Sequence, residues 1–446
     1  MSHKPSARGR ARAILVLAAA AALAGCAGQH GPSPRAVSPP WPAVRFAVLS
    51  DPHLFDAASS DPGPAFDANL GTGSKLFAES RQILEAALSG IEAEKPDFLL
   101  VCGDLTKDGE LASHQLAVRE LGRAVQAGIR VFVVPGNHDV LNPRASRYSG
   151  ATVEPAPSVT PAEFAALYEP FGFGAAFQRD PDSLSYVAEA APGLWLLALD
   201  SCKYKENRGS PVSGGRLRPS TSRWARAVLS DARAQGIHVI AMLHHGIMEQ
   251  FRGEKTWLPD YVIDDYDAVS WLLAGGGVQA VFTGHTHSQE VTRRSFPGPG
   301  GGWFVYDIET GAAVSWPNPW RMVEVDAAGR MKITSRFVTA LPGFSGDFPL
   351  YARARLFQWL RAGAEAALIR FGASARSAAA LADQAAQAGM SMYRGDEPRS
   401  VRGFDTTGLD LGGKILAAAV DGAFRDFQTD LPPADNDVTL DLAAGN

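Results

Sequence analysis

The chain reads as an α/β protein with a smaller helical region at its C-terminus, and three observations carry that reading. Short apolar runs recur at 44–49, 98–101, 131–134, 239–243 and 278–282, bounded by polar residues in the manner of buried strands. Helical spacing fills intervals between them: Ile83, Leu84, Ala87, Leu88 and Ile91 share one face. Each run also leads straight into a polar motif: Asp51-Pro52-His53, Gly103-Asp104, Gly136-Asn137-His138-Asp139, His244-His245 and Gly284-His285-Thr286-His287. In α/β sheets ligands collect at the carboxyl ends of strands, where loops are free and the scaffold behind them is rigid.

Taken in order, the chain begins with a targeting segment at 1–25. Basic residues precede an apolar run at 13–23 that is too short to span a bilayer. Leu23-Ala24-Gly25-Cys26 resembles the lipobox of bacterial lipoproteins, which makes Cys26 the expected lipidation site and the membrane an expected partner through a lipid anchor. The expected location is the cell envelope, on the periplasmic face or outer membrane of a Gram-negative cell. Residues 26–43 are rich in Pro, Ser and Gly and read as a flexible tether. The catalytic domain is expected over 44–345. Its helices are read at 80–94 and 113–127, and further strands at 303–308, 321–325 and 331–338. Insertions at 54–75 and 203–216 are expected to rim the site, with Phe55 or Tyr204 offering a stacking face for a base. The helical domain is expected over 346–446, where Leu356, Phe357, Leu360, Leu368 and Phe371 form an apolar stripe.

Composition bounds the partners. Apolar content of 46% against 20% charged residues supports a large core. Without residues 1–25, which carry Lys4, Arg8, Arg10 and Arg12 as their charges, the net charge moves from −5 to −9. Such a chain has no general attraction for a nucleic acid polymer, so a substrate that is small, or captured locally by metal, is expected. Cys102 and Cys202 read as buried thiols beside the site, with a disulfide as the alternative.

Together the motifs supply carboxylate, imidazole and one amide, a donor set for two hard divalent ions that activate water against a phosphate ester. Their order resembles the calcineurin-like metallophosphoesterase superfamily over about 44–338. That resemblance implies a four-layer αββα sandwich. It implies Asp51, His53 and His287 on one metal, Asn137, His244 and His285 on the other, and Asp104 bridging both. It implies Mn or Fe as the metals, with Zn also suited to the donors. Hydrolysis is implied to proceed by a hydroxide held between the ions, with His138 giving a proton or hydrogen bond to the phosphate or leaving oxygen.

Asp139 is expected to orient its neighbours or to cap a helix, and His245 is a candidate for contact with metal or substrate. His114 and His238 are read as structural or exposed. Gly103-Asp104-Leu105-Thr106-Lys107-Asp108-Gly109 departs from the protein-phosphatase pattern, and the stretches around it are similar to class III cyclic nucleotide phosphodiesterases, in particular bacterial lipoproteins with a C-terminal helical domain. The expected activity is therefore hydrolysis of small phosphodiesters, cyclic nucleotides first. A phosphomonoesterase or nucleotide hydrolase on the same scaffold is the first alternative. A lipid-anchored envelope binding protein without activity is the second.

Overall fold

Two mixed sheets face each other across the main core of the computed structural model. The model describes residues 39–298, 302–395, 397 and 401–444. The targeting segment and Cys26 lie outside the described residues. The strands are β1 (Val44–Leu49), β2 (Phe98–Val101), β3 (Arg130–Val133), β4 (Ser146–Ser149), β5 (Thr152–Pro155), β6 (Ala176–Arg179), β7 (Tyr186–Ala191) and β8 (Leu194–Ala198). They continue as β9 (His238–Met242), β10 (Ala280–Thr283), β11 (Glu290–Phe296), β12 (Trp303–Glu309), β13 (Pro319–Val325), β14 (Arg330–Phe337) and β15 (Asp437–Asp441). One sheet runs β15-β14-β13-β1-β2-β3, the other β11-β12-β10-β9-β8-β7-β6, and β4 and β5 form a separate hairpin.

Alternation along the strands decides the layering. In β9, Ile240 and Met242 enter the inter-sheet core, where Phe46 of β1 meets Phe282 of β10 edge-on at 5.3 Å. Val239 and Ala241 of the same strand face outward onto α3 (Pro219–Gln235) and α4 (Tyr266–Gly276), through Ala225, Val228, Leu229, Val269 and Leu273. On the other side, α1 (Ser80–Glu94) and α2 (Leu111–Gln126) cover β1–β3 with Ile83, Leu84, Ala87 and Leu88 from α1 and Leu116 and Leu121 from α2. The order helix, sheet, sheet, helix is the four-layer arrangement that the family resemblance implied.

The strands that carry the motifs are neighbours. β1, β2 and β3 pair in parallel in one sheet, and β9 and β10 in the other. Parallel pairing puts each set of carboxyl ends on one edge.

The C-terminal region departs from the all-helical expectation. α5 (Phe348–Arg370), α6 (Ala375–Arg394) and α7 (Leu411–Phe427) are followed by β15, which pairs antiparallel with β14. The segment therefore completes the edge of the first sheet. Leu356 is buried, but Phe371 is 73% exposed and does not belong to a core stripe. At the other end, Trp41 is not tether: it is buried and stacks on His238 at 4.0 Å. Cys102 and Cys202 are free, buried thiols. Among the described residues, no helix is long and apolar enough to cross a membrane.

Candidate metal centre

The motif turns place their donors through unusual backbone. Asp51, His53, Asp104, His285 and His287 all have positive φ, from 38° to 83°. Left-handed conformations cost non-glycine residues free energy, and their concentration at one point marks a functional constraint. Close approach explains the glycines at two turns. A Cβ on Gly284 would lie 1.9 Å from Ser50 Oγ, and one on Gly136 would lie 2.1 Å from the Asp104 amide nitrogen.

Two donor groups result. In the first, His53 Nε2 lies 3.4 Å from His287 Nε2 and 3.7 Å from Asp51 Oδ1, and His287 Nε2 lies 3.3 Å from Asp51 Oδ1. In the second, His244 Nε2 lies 3.1 Å from Asn137 Oδ1 and 3.2 Å from His285 Nδ1. Asp104 Oδ2 joins them, at 3.4 Å from His53 Nε2 and 3.5 Å from His244 Nε2. All seven of the expected donors thus converge.

The surroundings aim these atoms. His244 Nδ1 bonds the Cys102 carbonyl at 2.8 Å, and His285 Nε2 bonds the Asp260 carbonyl at 3.0 Å, so the opposite nitrogen of each ring faces the centre. Asp51 Oδ2 accepts from Ser50 Oγ at 2.5 Å and from the His285 amide at 3.1 Å. Its Oδ1 is buried and has no hydrogen-bond partner, as a carboxylate oxygen waiting for a cation would be. Burial acts to raise the Asp104 carboxyl, but His244, His138 and His53 outweigh it and hold it well below the usual range. Burial also lowers His53, His285 and His287 and keeps them neutral, the form that ligates metal. The residues therefore fit bound metal.

His138 stands apart from both groups. Its amide donates to Asp104 Oδ1 at 2.9 Å, Nδ1 meets Asp108 Oδ1 at 3.0 Å, and the side chain is 22% exposed, open to a substrate. Asp139 is an organiser rather than a helix cap. Its carboxylate accepts from the amides of Leu105, Thr106 and Gly136 and from Thr106 Oγ1, at 2.8–3.0 Å, and so locks the Asp104 turn to the Asn137 turn. His114 is buried and structural, bonded to Tyr168 and to the Asp139 carbonyl, both at 2.8 Å.

Three expected contacts are corrected. Tyr204 is 3% exposed and donates its hydroxyl to Asp200 Oδ2 at 2.8 Å, so it offers no face for a base. Phe55 is equally buried, in a small cluster with Ala65, Leu70 and Tyr148. His245 is fully buried, with Nδ1 on Ser201 Oγ at 2.7 Å and Nε2 on the Ser213 carbonyl at 2.9 Å; it supports the site without facing substrate.

The structure also brings in residues that the sequence left unmarked. Asp108, four positions after Asp104 on the same turn, holds His138 and pairs with Lys107. Lys75 is half-buried and senses the charges of Asp104, Asp51 and Asp108, yet no hydrogen bond ties it to them. Tyr261 lies 5.4 Å from His285 between ring centroids, and Tyr393 of α6 lies 6.4 Å from His287. Only Asp108 had a sequence signal, its place within a strand-end motif.

The family model for calcineurin-like phosphoesterases matches residues 44–289, more than half of the chain. A protein named "Probable cyclic nucleotide phosphodiesterase" from Pseudoalteromonas sp. (strain SM9913) is 31% identical over 121 residues, covering 27% of this chain and 41% of that relative. Among solved structures, a dimetal phosphatase from Danio rerio is similar at TM-score 0.45 and 15% identity, over 66% of this chain and 96% of that one. A purple acid phosphatase from yellow lupin (Lupinus luteus) is similar at TM-score 0.39 and 11% identity, over 67% and 53%. With the motif order, the parallel strand ends and a family model matched across 44–289, the chain belongs to the calcineurin-like phosphoesterase family.

Proposed function

We propose that this protein is a dinuclear metal-dependent phosphodiesterase of the cell envelope, acting on small phosphodiesters with cyclic nucleotides as first candidates. One observation carries the dinuclear part: Asp104 Oδ2 stands within 3.5 Å of a nitrogen in each donor group. A single carboxylate placed so can serve two ions.

Asp51, His53 and His287 would hold one ion, and Asn137, His244 and His285 the other, with Asp104 shared. When bound, the pair supplies Lewis acidity that activates water and neutralises phosphate charge. Mn and Fe are the first choices for this nitrogen and oxygen set, and Zn also suits it. The chain's residues do the rest. His138 holds or delivers a proton at Nε2 toward the leaving oxygen, and Asp108 fixes its ring from behind through Nδ1. Lys75 offers an ammonium to a phosphate oxygen, because the carboxylates around it are committed to metals. With Tyr204 and Phe55 buried, Tyr261, Tyr393 and Phe77 are aromatic groups near the donors that could flank a base.

The diester preference draws on the Pseudoalteromonas relative, which is matched over only 41% of its length. The envelope location draws on residues 1–26, and scavenging of external phosphodiesters fits it better than control of a cytoplasmic messenger. The test is a panel of cyclic nucleotides, an aryl phosphodiester, an aryl phosphomonoester and a phosphoprotein, assayed with Mn²⁺ alongside elemental analysis. About two metals per chain and turnover of diesters are expected. Full activity with one metal would end the dinuclear reading, and turnover of phosphoprotein alone would end the phosphodiesterase reading.

A further inference from the structure

One end of the helical region exposes large apolar side chains from two segments. Ile369 and Phe371 stand at the corner between α5 and α6, and Leu411 and Ile415 on the first turns of α7. They are 49%, 73%, 75% and 63% exposed. The corner and the start of α7 form one surface. Asp410 caps α7 by accepting from the Gly413 amide at 2.7 Å, and it also accepts from Ser377 Oγ at 2.9 Å and from Ser374 Oγ. Beneath, Leu381, Leu409 and Ala417 form a small buried cluster on which Leu368 packs. With Leu368 and Ala417 turned inward, helical spacing sends Ile369, Leu411 and Ile415 outward.

Charge at this tip runs against the rest of the chain. Over 366–380 and 406–420 the charged residues are Arg370, Arg376, Lys414 and Asp410, all exposed, whereas the whole chain carries −5. The Asp410 carboxylate is engaged by Ser374, the Gly413 amide and Ser377, with Arg376 nearby. Arg370 directly precedes Phe371, and Lys414 lies between Leu411 and Ile415. Protruding apolar groups interleaved with cations match the interface of an anionic bilayer, where apolar side chains enter the headgroup layer and basic ones meet phosphates. A protein interface favours the reverse, a core depleted of lysine.

We propose that this tip docks on an anionic lipid bilayer, with Ile369, Phe371, Leu411 and Ile415 entering the headgroup layer and Arg370, Arg376 and Lys414 meeting lipid phosphates. The proposal rests on the envelope location proposed above for its access to lipid. Four side chains and three cations give a weak, reversible contact, so the tip orients the body at the bilayer while retention falls to the anchor expected at Cys26.

The experiment uses the purified chain from Ala27 onward, which holds every described residue and neither the targeting segment nor Cys26. It should pellet with vesicles of phosphatidylcholine containing about 30% phosphatidylglycerol at about 1 mM lipid. Vesicles of phosphatidylcholine alone, or salt near 1 M, should lower binding at least about fivefold. Phe371→Ser with Leu411→Ser should lower the partition coefficient at least about tenfold. Arg370→Gln, Arg376→Gln and Lys414→Gln together should lower it at least about tenfold on the anionic vesicles and leave binding to pure phosphatidylcholine unchanged. All five substituted side chains are exposed, so Tm and turnover of a soluble aryl phosphodiester should match wild type. The proposal is overturned if the wild-type chain does not pellet at about 5 mM anionic lipid, or if both folded variants pellet as it does. It is also overturned if sedimentation shows a dimer that Phe371→Ser with Leu411→Ser separates, since the tip would then bind a second copy. Vesicle binding by a protein that cell fractionation finds off the membrane would end the envelope reading and leave the lipid affinity of the tip standing.

Discussion

Asp108→Asn isolates the contribution of the residue behind His138. The two side chains meet at 3.0 Å, with Asp108 13% and His138 22% exposed, so solvent screens the pair only in part. Asparagine keeps an oxygen near Nδ1 but takes the negative charge out of that hydrogen bond. A hydrogen bond to a charged group contributes about 1.5–3 kcal/mol, and about 2 kcal/mol is reasonable for this partly screened one. If that is felt in the transition state, kcat falls about 30-fold. KM for a phosphodiester should move by less than about twofold, because Asp108 faces the histidine and not the substrate. Metal content should be unchanged, because Asp108 belongs to neither donor group. Steady-state kinetics on an aryl phosphodiester and elemental analysis supply both readouts. In a His138→Asn background, itself expected to keep its metals and lose about 10²–10⁴-fold in turnover, Asp108→Asn should add little further loss. Wild-type kcat in Asp108→Asn would refute the positioning role. So would an undiminished effect in the absence of His138.

Further outcomes follow from other contacts. Asp139→Ala should strand the amides of Leu105, Thr106 and Gly136 and the Thr106 hydroxyl; at about 1 kcal/mol each as a lower bound, urea denaturation should show a loss near 4 kcal/mol. Burial lowers the His114 pKa to about 4, below the unfolded value of about 6.5. The unfolded chain therefore binds the extra proton first, so this contribution is complete above about pH 6.5 and is lost as pH falls toward about 4. The stability advantage of wild type over His114→Gln should accordingly shrink by about 3 kcal/mol between pH 7 and pH 4 in urea melts; a constant gap would contradict it. Lys75→Met should raise KM for phosphate esters about tenfold with both metals retained, and an unchanged KM would remove Lys75 from the substrate. Cys26→Ser should move the protein out of the membrane fraction, and unchanged retention of a normally cleaved chain would exclude lipidation there.

The sequence by itself marked the candidate donors, because what a strand-end donor needs is local. A donor next to a turn glycine, directly after a buried strand, is written in consecutive residues, as in Gly103-Asp104 after 98–101 and Gly284-His285 after 278–282. The split of Ile240 from Val239 between two cores is not local, because every residue of 239–243 is apolar and only the packed sheets and helices decide which side each one faces. Tertiary structure decided what depends on distant neighbours. Tyr204 looked like a rim residue until Asp200 took its hydroxyl into the core, and Phe55 until Tyr148 and Leu70 closed over it. Lys75 became a candidate only when its loop came within electrostatic reach of Asp51 and Asp104. Tyr393 and β15 take their places because the C-terminal segment folds back onto strands formed far earlier in the chain. Burial and charge crowding are sums over residues more than a hundred positions apart, and no local spacing encodes such a sum.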